Sequence, residues 1–421
     1  MTLAPLRLFA NAKEAVGCFG VLALVFALHV SLIYLHYRQF TEQGRVYVEG
    51  ELLLSDARVS KNGRAYHVLH VKTKEFILYT VTWQEVLHVR PGERISVYAI
   101  TENLSFLDFF SKRFFTPSFS LQSLRQSDEG VAKRLSYAIH AQHENPKMQA
   151  LYSALFLATP VPKALREDVL YWGVSHLVAI SGFHLGVLLA LGYGVFRPMY
   201  RFFQSRYFPY RNATFDVGVV LLGLAFGYLW LIGFVPSFLR AFVMAVVGFF
   251  LLMRHIKLLS FGVLGLSVGV ILALFPHLVV HIGFWFSVFG VFYIFLYLHH
   301  FKDRFSAPMH AVLLNFWVFL AMNIPVHYWF PLTSWQQVGS VPLSIVFMGF
   351  YPLSALLHVS GFGGLMDGVL EPFLAWRMEG ADVPTPLWML VGYLGLSVLA
   401  IRWRFLAVGV VVLGGVPFLL L

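Results

Sequence analysis

The chain has 421 residues, 58% of them hydrophobic and 12% charged, with a net charge of +10. A soluble domain carries about 25% charged residues, so a large soluble core is excluded and a polytopic α-helical membrane protein is indicated. Cys18 is the single cysteine, which rules out an intrachain disulfide framework and a Cys-based zinc site.

The first apolar stretch, 16–34, follows Arg7 and Lys13 and has no small-residue cleavage site behind it. It is long enough to cross the hydrocarbon core and reads as a membrane anchor within residues 1–40, its N-terminus in the cytoplasm. Residues 41–105 change character. Runs at 45–55, 64–72, 75–81 and 93–101 are rich in β-branched and aromatic residues, with turns at KNG 61–63, KTK 72–74 and RPG 90–92. With a helical turn near 83–87, they predict a small extracytoplasmic β-barrel of OB-like type. Such barrels stack single-stranded bases on aromatics. Tyr47, Tyr66, Phe76, Tyr79 and Trp83 are the candidates; the competing reading makes them core or packing surface, since 41–105 balances eight basic against eight acidic residues.

Residues 106–173 are amphipathic. SFLDFFSKRFF suits a helix lying in the interface, and a second helix ends before Pro160 and Pro162. From 174 to 421 apolar segments follow one another at 175–196, 215–234, 236–253, 258–275, 279–299, 309–330, 338–358, 387–401 and 405–421. With the anchor they predict about nine to eleven crossings, some re-entrant; Pro325 and Pro331 are expected to break the segment that carries them. The charge excess is concentrated here: over 176–275 Arg197, Arg201, Arg206, Arg211, Arg240, Arg254 and Lys257 face only Asp216, a net +6. The positive-inside rule accounts for the loop residues without a nucleic acid.

The break at 175–186, SHLVAISGFHLG, is the most informative feature. Gly182 is expected to release the backbone from helical geometry, and Ser181 and His184 to satisfy the freed amides and carbonyls. In lipid, irregular backbone persists only where protein buries it or water lines it, so the segment reads as a discontinuous helix at a pathway.

With LREDVLYWGV at 165–174, this block resembles the signature of the ComEC competence-protein family, the inner-membrane DNA-translocation channel of naturally transformable bacteria. GFVPSFLRAFVMAVV at 233–247 resembles the family's Pro-Ser-x-x-Arg-Ala segment. PHLVVHIGFWFSVFGV at 276–291 is similar to its Pro-x(n)-Gly-Phe-x-Leu-Ser segment, with Phe286 in place of Leu, and 323–347 resembles its proline-containing half-helices, with Gln337 in place of Asn. The resemblance implies conduction of single-stranded DNA into the cytoplasm, with a periplasmic DNA receptor and a cytoplasmic helicase or translocase as partners. Ser181, Gly182, His184, Gly186, Ser237 and Arg240 are the candidate path lining. A charge at the bilayer centre costs about 2.5–3.5 kcal/mol, so Arg240 must be paired, snorkelling or facing water.

No cofactor and no catalysis are expected. Ser181 lacks a G-x-S-x-G elbow, the i, i+4 pair His277 and His281 has no Asp, Glu or Cys beside it, and no nucleotide-binding loop is present. Many ComEC relatives carry a metallo-β-lactamase-like domain; no His-x-His-x-Asp-His motif occurs here, so degradation of the non-transferred strand is expected to fall to another protein. Two other classes fit a broken helix: a secondary transporter of a small substrate and a membrane-embedded hydrolase using Ser181 and His184.

Overall fold

In the computed structural model, residues 8–9, 11–83, 89, 92–124, 130–254 and 260–421 are described. The expected helical turn at 83–87 and the RPG turn fall largely outside them, as do Arg7 and Lys257. The chain divides into two compact units, one of residues 11–135 and 269–281, the other chiefly of 136–268 and 282–421.

The first unit begins with α1 (Ala12–Thr41), capped by Asn11, whose side chain accepts from the Glu14 amide at 2.9 Å. Then come β1 (Arg45–Val59), β2 (Ala65–Lys72), β3 (Ile77–Thr82) and β4 (Arg94–Ile100), the strands expected from the sequence. After α2 (Phe106–Phe110), β5 (Arg113–Phe115) and β6 (Ser118–Ser123) complete a six-stranded sheet of order β5-β3-β2-β1-β4-β6. All pairings are antiparallel except β3 with β5. The long β1 pairs with β4 through its first half and with β2 through its second, shifting register between Leu52 and Leu54. Thr116, between the two edge strands, donates its amide to Tyr79 O at 3.0 Å, and Thr80 Oγ1 bonds Ser118 Oγ at 2.7 Å.

Alternation decides the inner face. Val48, Leu52, Leu69, Val71, Leu78, Ile95, Val97 and Ala99 form the core, and Ile33, Tyr37 and Phe40 of α1 pack on it. SFLDFFSKRFF does not form one interfacial helix: five residues are helical, Phe109 and Phe110 are buried, and Lys112 turns the chain at φ +56° into β5. Hydrophobic periodicity alone cannot separate a short helix followed by an edge strand from one amphipathic helix.

The second unit is helical. It holds the second half of α3 (Val131–His140), then α4 (Pro146–Leu157), α5 (Lys163–Tyr171), α6 (Ser175–Val178), α7 (Gly182–Tyr207), α8 (Ala213–Leu231) and α9 (Pro236–Met253). After α10 (Phe261–Leu274), α11 (Ile282–Phe301) and α12 (Ala307–Trp329) lead to β7 (Leu332–Ser334) and α13 (Ser340–Val359). The chain continues through α14 (Asp367–Ala375), β8 (Gly380–Asp382), α15 (Leu387–Leu399), α16 (Arg404–Gly414) and α17 (Val416–Leu419). β7 and β8 pair antiparallel.

Among the described residues six helical stretches are long and apolar enough to cross a membrane: α1, α8, α9, α11, α12 and 335–359, which runs into α13. This is a polytopic helical membrane protein. α10, α15 and α16 are apolar but shorter, with 14, 13 and 11 residues. Pro325 does not break α12. Its missing N–H frees the Ala321 carbonyl, and Tyr393 Oη donates to that oxygen at 2.9 Å.

Candidate functional site

The helix break lies just upstream of the glycine expected to cause it. Ala179 is extended, with ψ 124°, and so is Ser181, at φ −139° and ψ 180°, whereas Gly182 is the first helical residue of α7. Ser181 is the N-cap, its Oγ accepting from Phe183 N at 3.3 Å. His184 completes a capping box by accepting the Ser181 amide on Nδ1 at 3.2 Å. Its ring is fully buried, edge-on to Tyr351 at 4.7 Å and Phe347 at 5.3 Å. His184 therefore supports the break from behind and does not line an open path. Ser181 Oγ lies 3.2 Å from Nδ1, but that nitrogen serves the amide, and among the described residues no carboxylate pairs with the ring to orient it as a base.

Gly182 and Gly186 are exposed, one turn apart on α7. A methyl group on Gly182 would stand 3.4 Å from Ala241 Cβ, and one on Gly186 would meet nothing within 4 Å. Ala241 follows Arg240, which is buried at 6% exposure in the second turn of α9. Its guanidinium lies 5.8 Å from the centre of the Phe284 ring, in the first turn of α11. The first turns of α7 and α11 thus flank the second turn of α9. Pro236 opens α9 with no side-chain cap behind it, and Ser237 beside it is half-buried.

Helix N-termini carry partial positive charge and unsatisfied amides. Among the described residues no carboxylate lies within 4.0 Å of Arg240, and its Nε is buried without a hydrogen-bond partner. A cation–π contact offsets only part of the desolvation of a buried guanidinium. Among the described residues, nothing supplies the site with a negative charge.

Residues 159–420 match the family described as Competence protein, more than half of the chain. The chain belongs to that family. It is also 34% identical, over 116 residues, to Recombination protein 2 of Haemophilus influenzae. That stretch is 27% of this chain and spans 14% of the relative's length. No solved structure matches.

Residues 165–176, the first part of the block at 165–186 that resembles the family's signature, form a brace. Asp168, 1% exposed, receives Arg377 Nη2 at 2.7 Å and Nε at 3.2 Å, and pairs with Lys147. The hydrogen bonds that Arg377 donates to Asp168 hold its guanidinium above its ordinary pKa. Trp172 Nε1 donates to Phe373 O at 3.1 Å. Gly173 takes φ +64°, and a Cβ there would lie 3.2 Å from Gln337 Cβ. Gln337, standing where the family's asparagine is expected, donates from Nε2 to Leu332 O at 2.9 Å and Leu170 O at 3.3 Å, so the backbone at this junction is satisfied. His176 Nε2 lies 3.3 Å from Ser344 Oγ.

The aromatic candidates of the sheet separate into two kinds. Phe76 is withdrawn among Phe40, Phe109 and Phe114, with centroids at 5.4, 6.3 and 5.0 Å. Tyr47 is exposed and pairs with Tyr98 at 5.3 Å, which stacks on Phe119 at 5.5 Å; Arg45 lies 5.7 Å over the Phe119 ring. Tyr66 meets Trp83 at 5.3 Å, and Tyr79 meets His70 at 4.7 Å. Tyr98 and Phe119 escaped the sequence reading, although alternation along β4 and after Pro117 points both outward. His281 Nε2 bonds Ser111 O at 2.9 Å, which gives it a packing role.

Proposed function

We propose that this competence-family protein conducts single-stranded DNA across the bacterial inner membrane into the cytoplasm. The observation that carries this reading is the buried Arg240, uncompensated by any carboxylate among the described residues, beside the first turns of α7 and α11. A phosphodiester supplies the missing charge, and helix N-termini and a guanidinium are both established phosphate partners. Ser181, Gly182, Gly186 and Ser237 leave room and polarity along that face. A chain sliding past needs contacts it can leave again, which one cation and helix dipoles provide.

The sheet supports the same reading from the first unit. Its order, its parallel β3–β5 pairing and the continuity of β5 into β6 support an OB-like barrel outside the membrane, with Tyr47, Tyr98, Phe119, Tyr66 and Trp83 as its stacking surface. A periplasmic DNA receptor would deliver the strand and a cytoplasmic helicase or translocase would pull it.

The test compares membrane abundance with entry of labelled DNA into the cytoplasm. Arg240→Gln is expected to insert normally and lower cytoplasmic entry at least tenfold while periplasmic DNA accumulates. Wild-type entry in Arg240→Gln at normal abundance would overturn the path. Selective loss of transport of a small solute in that variant, with DNA entry intact, would favour a secondary transporter.

A further inference from the structure

The α3–α4 loop, the end of α13 and the start of α14 enclose a histidine pair that the DNA path does not use. His143 Nδ1 lies 2.7 Å from Asp367 Oδ2, and His358 Nδ1 lies 2.6 Å from the Ser354 carbonyl. A carbonyl oxygen and an ionised carboxylate only accept, so the hydrogen-bond network assigns the proton of each ring to Nδ1. Both Nε2 atoms are then bare lone pairs. They face each other at 3.0 Å.

Two lone pairs at that distance repel, and the His143 side chain is fully buried, so solvent does not relieve the repulsion. A cation between them makes the contact attractive. The surroundings are those of metal-ligating histidines, whose second ring nitrogen donates to a carboxylate or backbone carbonyl that fixes the tautomer and raises ligand basicity. Imidazole–metal bonds of about 2.0–2.1 Å across a 3.0 Å N···N span meet near a right angle, as adjacent ligands do.

The pair is also held in place. Gln142, next to His143, donates from Nε2 to His358 O at 3.1 Å and accepts from Gly363 N at 2.7 Å. Tyr152 stacks on the His143 ring at 4.6 Å and lies 4.4 Å from that of His358. No cluster of three His, Cys, Asp or Glu able to hold a metal occurs among the described residues. The protein thus provides two ligands, and water or an anionic oxygen takes the open positions.

We propose that His143 and His358 form the protein half of a divalent transition-metal site, each ligating through Nε2, with Asp367 as the positioning residue on His143. Imidazole ligands favour zinc, copper, nickel or iron over magnesium and calcium.

The experiment uses tag-free, full-length protein in nanodiscs, titrated with Co²⁺ and Zn²⁺. One ion per chain is expected, with His143→Gln and His358→Gln each abolishing it and Asp367→Asn weakening it about 10–100-fold. Should a histidine variant fail to fold, spin-echo modulation of Cu²⁺-loaded wild type counts the coordinated imidazoles, and two are expected. Fewer than two, no binding by the wild type, or binding that survives the double histidine variant overturns the proposal. So does stabilisation that follows pH alone and ignores added metal, because a shared proton would then be the cation.

Discussion

Arg240 and Asp168 are both buried charges, and their surroundings assign them opposite duties. Asp168 is fully compensated by Arg377 and Lys147, whose side chains are 39% and 26% exposed. Asp168→Asn is expected to cost about 2 kcal/mol, below the 3–5 of a wholly buried pair because both partners keep water contact. Thermal unfolding of the full chain measures it. The double variant Asp168→Asn/Arg377→Gln should cost less than the sum of the singles, since each single strands a partner; additive losses would mean that the pair does not act as a brace. His184→Ala should likewise appear as lost membrane abundance, because the ring caps α7 from a buried position. The sequence singled out His184 and Arg240 as path lining and carried Asp168 only as one letter of LREDVLYWGV, so it did not separate brace from path. Motif spacing records which residues belong together, while burial and partners decide what each of them does.

Among elements, long apolar helices were legible because twenty or so apolar residues leave few alternatives. The short pieces were not. β5 has three residues and pairs with β3, more than thirty positions away in sequence, so nothing local announces it. Pro325 misled for a similar reason: the group that repairs α12 is Tyr393, on α15. Tyr393→Phe is expected to leave the Ala321 carbonyl unsatisfied and to destabilise by about 1–3 kcal/mol. Pro325→Ala in that background should recover most of the loss by restoring the intrahelical donor, which thermal unfolding of the two variants would show. The helix break was placed correctly to within three residues but credited to the wrong one, since Ala179 and Ser181 carry the extended backbone. Gly182→Leu therefore tests occlusion alone. The side chain enters the space beside Ala241 without straining the turn, so insertion should be normal and DNA entry blocked; unchanged entry would remove α7 from the path.

For the whole molecule, the question is whether its net charge of +10 or its aromatic surface governs DNA binding. Most of the excess lies in 176–275, where the positive-inside rule already accounts for the arginines in the second half of α7 and in the loop behind it, while 41–105 is neutral. Stacking on the outward face of the sheet should then dominate in the full-length protein. Tyr98→Ala is expected to weaken binding of a single-stranded oligonucleotide by about 1–3 kcal/mol, because it removes the ring between Tyr47 and Phe119. Phe76→Ala should spare affinity and lower stability, since that ring is partly buried and packs against the core. The salt dependence discriminates further. Each phosphate neutralised contributes a slope of about −0.7 in log affinity against log salt for single strands, so a platform with Arg45 as its stacked cation predicts a shallow slope that Arg45→Ala flattens by about that amount. A steep slope indifferent to both Tyr98→Ala and Arg45→Ala would instead assign the binding to the basic second half of α7 bearing Arg197 and Arg201, and the sheet's aromatics would be surface packing without a nucleic-acid role.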